Sequence, residues 1–106
     1  MAHAVTDDTF DAEVLQSPIP VLVDFWGIGC APCEQLAPVI EELARDFAGR
    51  AKVVKMNTSE HFEAASNFGV RMLPTIMVFK NGQPVKQSVG FRKKADLAKL
   101  IESALQ

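Results

Sequence analysis

An excess of charge of one sign is missing from this chain: 11 Lys and Arg stand against 13 Asp and Glu, for a net charge of −2 over 106 residues. The two signs are intermixed, and no basic stripe or aromatic-plus-basic patch is present, which argues against nucleic acid as a partner. Long apolar runs are missing too. None reaches the ~18 residues needed to span a bilayer. The start, Met1-Ala2-His3-Ala4-Val5-Thr6-Asp7-Asp8, lacks the basic region and apolar run of a secretion signal. A cytoplasmic protein without membrane association is expected. Repeats, linkers and low-complexity segments are absent, and a chain of this length with 48% hydrophobic residues is long enough for one compact core and too short for two ordinary domains. Residues 1–106 are therefore expected to form a single domain. Cysteine is scarce, with only two copies. That excludes a disulfide framework, and in a cytoplasmic chain such a pair is catalytic more readily than structural.

The two copies are Cys30 and Cys33, in Trp26-Gly27-Ile28-Gly29-Cys30-Ala31-Pro32-Cys33, directly after the apolar run Val21-Leu22-Val23-Asp24-Phe25. Thiols two residues apart can close a disulfide and reopen it. A strand that delivers the first of them to a helix start places it against free N–H groups and the positive end of the helix dipole, which favour the reactive thiolate. Exchange also needs a second thiol to resolve the mixed disulfide. Cys30, at the loop-to-helix junction, suits the attacking role; Cys33, a turn further in, suits the resolving one. A zinc site would need four ligands, and only His3 and His61 could join the cysteines, without metal-like spacing. No metal and no cofactor are expected. Pro32 suits a first helical turn, where its missing N–H is not needed. Asp24 interrupts a run that otherwise belongs inside, and burying a carboxylate costs several kcal/mol unless it is paired or protonated.

The rest of the chain alternates strand and helix and then doubles back. A short edge strand is expected over 1–5 and a helix over 7–16, capped by Thr6-Asp7-Asp8, with Phe10, Val14 and Leu15 inward. Residues 21–26 read as a central strand covered on both faces. A helix over 31–48 follows, its Leu36, Ile40, Leu43 and Phe47 inward, Glu41, Glu42, Arg45 and Asp46 on the wet side, and Pro38 within it. A strand over 52–56 and a helix near 60–68 come next. Asn81-Gly82, between 75–79 and 85–89, is the strongest short hairpin signal. An amphipathic helix over 94–105 ends the chain, with Leu97, Leu100, Ile101 and Leu105 on one face. The order implies an α/β fold with a mixed sheet and helices on both faces.

These residues closely resemble the thioredoxin family along nearly the whole chain. The resemblance rests on the strand 21–26, Cys30-x-Pro32-Cys33, Ala37-Pro38, Phe68-Gly69-Val70-Arg71, Leu73-Pro74-Thr75, Phe79-Lys80-Asn81-Gly82 and Gly90. It implies a five-stranded mixed β-sheet flanked by four α-helices. It further implies a monomeric thiol–disulfide oxidoreductase that reduces disulfides in client proteins and is recharged by a thioredoxin reductase. Asp24 matches the family's buried acid, which exchanges protons with the inner cysteine, and Lys55 matches its basic partner; the alternative is a purely structural Asp24–Lys55 pair. Leu73-Pro74 looks like the family's cis-proline loop, which offers backbone groups to an extended substrate. Trp26, Gly29, Ala31, Pro32, Met72, Leu73, Pro74, Gly90 and Phe91 form the substrate surface that the resemblance implies.

Departures from the family pattern cluster at the sulfurs. The commonest site reads Trp-Cys-Gly-Pro-Cys-Lys, whereas this one reads Gly29-Cys30-Ala31-Pro32-Cys33-Glu34. Ala31 stiffens the turn, Glu34 opposes a thiolate at Cys30, and Gly29 removes an aromatic from the docking surface. A dedicated reductase is therefore expected. Met72 and Phe91 are bulky where relatives often have small residues, and restore apolar area. Lys93 and Lys94 stand at the last helix start without a capping oxygen, an arrangement costing ~1 kcal/mol. Two other functions compete: a redox-inactive binding platform on the same fold, against which Cys30, Cys33, Asp24 and Pro74 argue, and an iron–sulfur carrier, against which Pro32 and the lack of further ligands argue.

Overall fold

The computed structural model describes residues 2–106. Among them, five strands form one sheet in the order β1-β3-β2-β4-β5. The strands are β1 (His3–Ala4), β2 (Val21–Trp26), β3 (Lys52–Asn57), β4 (Thr75–Lys80) and β5 (Gln83–Val89), with helices α1 (Asp11–Leu15), α2 (Ala31–Asp46), α3 (Glu63–Asn67) and α4 (Lys94–Leu105) between and after them. Of the edge strand expected over 1–5, Met1 lies outside the described residues. β1 and β2 run parallel to β3, β4 is antiparallel to β2, and β5 to β4.

β2 sits at the centre because both of its faces are apolar, and alternation divides them between two cores. Leu22 joins Leu36, Ile40 and Leu43 of α2 and Leu97 and Ile101 of α4 on one face. Val21, Val23 and Phe25 join Phe10 and Val14 of the first helical segment and Ala64 and Ala65 of α3 on the other. Asp24, next in alternation after Leu22, therefore falls on the face that α2 covers.

The first helical segment departs from the expected α-helix over 7–16. The Thr6 carbonyl closes a turn by accepting the N–H groups of Thr9 and Phe10, and a five-residue π-helical stretch follows, with Gln16 N–H bonding the Asp11 carbonyl at 2.9 Å. The expected cap is supplied by Thr6, whose hydroxyl accepts the Thr9 N–H. Asp7 is drawn elsewhere: its carboxylate accepts the Glu63 and Ala64 N–H groups, both at 3.3 Å, and so caps α3. Phe10 is wedged among Phe25, Phe68 and Phe79, at ring-centroid distances of 5.7–6.4 Å.

α2 and α3 end earlier than expected, at Asp46 and Asn67, while α4 occupies the expected span. Lys93 has no side-chain cap, but Lys94 bonds Asp46 at 2.7 Å and Glu42 at 3.3 Å, which offsets part of the unfavourable charge at the start of α4. The hairpin turns at Asn81 and Gly82, whose φ values of 53° and 77° are both positive, as a tight two-residue turn between twisted strands requires.

This topology gives the sheet two unlike poles. Trp26 is level with Asn57, Phe25 with Thr75, and Thr75 with Val89. The loops 27–30, 58–62, 70–74 and 90–93 therefore all leave from one pole, where α2 and α4 also begin. The opposite pole carries the Asn81-Gly82 turn and the end of α4, where Lys80 Nζ donates to the Gln106 carbonyl at 2.8 Å.

Candidate active site

Cys30 is the residue immediately before α2, in extended conformation with φ −103° and ψ 99°. That geometry turns its side chain back over the open end of the helix, and Sγ accepts the Cys33 N–H at 3.2 Å. The helix terminus thus presents an N–H directly to the sulfur, the feature that stabilises a thiolate there. A disulfide joins Cys30 and Cys33, whose Cα atoms are 5.3 Å apart. Cys33 is 4% exposed, whereas Cys30 is half-buried. Ala31 and Pro32 are exposed on the first helical turn, and Glu34 beside them is exposed as well.

Gly29 has φ +78° with open space around its Cα. Its role is conformational as well as subtractive, because a side chain there would be strained by ~1–2 kcal/mol. Gly27 is a close-approach position that sequence reasoning missed. A Cβ on it would lie 2.7 Å from Leu73 Cδ1 and 3.3 Å from Ser59 Oγ. Three loops therefore meet at this glycine. They are also tied by hydrogen bonds, with Ile28 N–H donating to Ser59 Oγ at 3.0 Å and the Trp26 carbonyl accepting from the Thr58 hydroxyl at 2.9 Å.

The Leu73–Pro74 bond is cis. Gly90 N–H donates to the Pro74 carbonyl at 2.8 Å and so joins loops 70–74 and 90–93, while the Thr75 hydroxyl closes the end of the first by donating to the Met72 carbonyl. Met72 and Phe91 are exposed, at 66% and 42%; Ile28 at 73% and Phe62 at 67% extend the apolar rim of this pole beyond the residues expected from sequence. For Ile28 the signal was a large apolar residue standing in a loop between periodic segments; Phe62 fell inside the helix expected near 60–68, which begins only at Glu63.

Beneath the disulfide lies a cavity of about 190 Å³ lined by Asp24, Trp26, Cys33, Glu34, Glu41 and Lys55. Asp24 is 4% exposed, and its Oδ1 has no hydrogen-bond partner among the described residues. Burial pushes its carboxyl up to about 7, with the Lys55 charge opposing. Lys55 is the register partner of Asp24 on β3, as expected, but its Nζ lies 3.5 Å from Glu41 Oε2. Glu41 Oε1 accepts the Ala2 N–H at 2.9 Å. Glu41 was expected on the wet side of α2, and the structure instead turns it into the cavity wall.

A solvent-reached sulfur at a helix N-terminus, bonded to an inner sulfur that borders a buried acid, is the working centre of a thiol–disulfide oxidoreductase. The thioredoxin family model matches residues 1–103. Thioredoxin 1 of Synechococcus elongatus is 50% identical over 105 residues, covering 99% of this chain and 98% of its own. Thioredoxin 1 of a Nostoc species is 49% identical over 104 residues, covering 98% of this chain and 97% of its own. The thioredoxin of Rickettsia bellii is 47% identical over 103 residues, covering 97% and 98%. The chain belongs to the thioredoxin family and is a protein-disulfide reductase that works by dithiol–disulfide exchange. Membership implies contact with a thioredoxin reductase and with disulfide-bearing clients. Among the described residues, no helix is long and apolar enough to cross a membrane.

Proposed function

We propose that Cys30 attacks the client disulfide and that Cys33 resolves the product. The observation that carries this assignment is the asymmetry of the pair: Cys30 is half-buried with an N–H aimed at its sulfur, whereas Cys33 is 4% exposed. The Cys30 thiolate bonds one client sulfur, and the other leaves as a thiolate and takes up a proton. Asp24, as carboxylate, takes the proton of Cys33 across the cavity they share. The Cys33 thiolate then attacks Cys30 Sγ, which frees the second client thiol and leaves the Cys30–Cys33 disulfide. Two electrons have passed to the client, and a reductase restores them. Lys55 offsets part of the cost of the Asp24 charge.

Trp26, Gly29, Ala31, Pro32, Met72, Leu73, Pro74, Gly90 and Phe91 form the docking surface for clients, supported by their gathering at one pole of the sheet. Residues 1–106 act as one domain, as a cytoplasmic monomer. Glu34 and the missing aromatic at Gly29 direct the protein to a dedicated reductase. The test is catalysed reduction of insulin disulfides by dithiothreitol, with Cys30→Ser as control and Cys33→Ser as trap. Catalysis should vanish in the first variant, and clients should accumulate as mixed disulfides on Cys30 in the second. Equal rates for wild type and Cys30→Ser would turn the reading into that of a binding platform.

A further inference from the structure

Two carboxylates compete for the single ammonium of Lys55. Asp24 lies level with Lys55 on the neighbouring strand, while Glu41 reaches it from α2 at 3.5 Å. Glu41 is the better placed of the two. Its other oxygen is fixed by the Ala2 N–H at 2.9 Å, and its half-buried position keeps its charge near water, whereas a charge on Asp24 would be almost fully enclosed. Chiefly that Ala2 hydrogen bond, with help from Lys55, holds Glu41 below the usual carboxylate range, which favours its charged form. The result is visible at Asp24, whose Oδ1 has no partner among the described residues.

We propose that Glu41 is a positioning residue of the proton relay: its carboxylate holds the Lys55 ammonium and so keeps Lys55 from closing on Asp24. This inference rests on the assignment of Asp24 as the proton acceptor of Cys33. The groups facing Asp24 are Lys55 from β3 and Cys33, Glu34 and Glu41 from α2, while β4 places apolar Ile76 opposite it. Lys55 is the only cation among them. Its location decides how tightly Asp24 keeps its proton, and Glu41 decides its location. With Lys55 held at Glu41, Asp24 retains a proton to near-neutral pH and can both give and take it. With Lys55 released onto Asp24, the nearby positive charge would favour the carboxylate, and the acid would hold its proton less tightly.

The test uses Glu41→Gln, which keeps the size of the side chain and an acceptor for Ala2 while removing the charge. The side-chain carboxyl of Asp24 is titrated by 13C NMR in the oxidised protein, in the wild-type and Lys55→Gln backgrounds. Glu41→Gln should weaken the proton affinity of Asp24 by about threefold to tenfold in the wild-type background. In the Lys55→Gln background the same change should move the midpoint little. An unmoved Asp24 midpoint in Glu41→Gln would overturn the proposal and leave Glu41 a merely structural tie for Ala2. An equal fall with and without Lys55 would also overturn it, since Glu41 would then act by its own charge. Release of client from the mixed disulfide is measured separately in Asp24→Asn. A normal rate there, with the Glu41→Gln titration shifted, would remove the proton role of Asp24 while leaving control of its affinity by Glu41 intact.

Discussion

Replacing Asp24 by Asn removes a titration from the core and nearly keeps the shape. An acid whose folded value is raised binds its proton more tightly in the folded state than in the unfolded one. Stability should therefore fall as pH climbs from the ordinary value of 3.8 through about 7, and level off above that. The separation is about 3 units. At ~1.4 kcal/mol per unit, the ionised carboxyl costs the wild type about 4 kcal/mol near pH 8 and almost nothing near pH 4. Asn carries no such dependence. It brings a buried amide of its own, with a penalty of ~1–3 kcal/mol that is the same at every pH. The informative quantity is thus the change in the variant's advantage between pH 4 and pH 8, expected to be about 4 kcal/mol in favour of Asn at the alkaline end. Urea unfolding of the oxidised proteins at a series of pH values measures it. An advantage that stays constant from pH 4 to pH 8 would refute a raised Asp24 and the relay built on it.

Limited alkylation of the reduced protein at neutral pH should modify Cys30 well before Cys33, by mass of the labelled peptides; preferential labelling of Cys33 would reverse the assigned roles. Glu34→Lys, which restores the family's cation on the first turn of α2, should lower the KM measured with a generic bacterial thioredoxin reductase, and an unchanged KM would show that this charge does not set recognition. Gly82→Ala should destabilise by at least ~1 kcal/mol while leaving turnover intact, because it adds a Cβ at φ +77° and 3.0 Å from the Leu15 carbonyl oxygen; thermal unfolding reads the loss. Asp7→Ala should cost ~1 kcal/mol through the lost cap of α3, again by thermal unfolding.

Much of this molecule was legible because its local signals agree with its tertiary structure. The nearly continuous apolar run at 21–26 reads as a doubly covered strand, Asn81-Gly82 reads as a tight turn, and the apolar spacing of 97, 100, 101 and 105 placed α4 over its observed span. Resemblance carried the remainder of the sheet order and the cis Leu73–Pro74 bond, which composition and periodicity do not encode. What stayed hidden depends on which side chain reaches which neighbour far along the chain. Asp7 reads as a cap for the helix that follows it, yet its carboxylate crosses 56 residues of sequence to Glu63. Glu41 reads as a solvated residue of an amphipathic helix, and only the approach of Lys55 from β3 and Ala2 from the N-terminal segment draws it to the cavity. Gly27 reads as loop, and its purpose emerges once Leu73 is packed against it.

The two unlike poles of the sheet have a practical consequence. Every loop that borders the disulfide emerges at one end, and α4 carries the chain away to the other, where Gln106 is held by Lys80. An extension or a chemical tether attached after Gln106 would leave from the face that does no exchange. The protein could therefore be immobilised on a bead or an electrode by that end, with the dithiol directed outward and open to whatever disulfide is offered in solution.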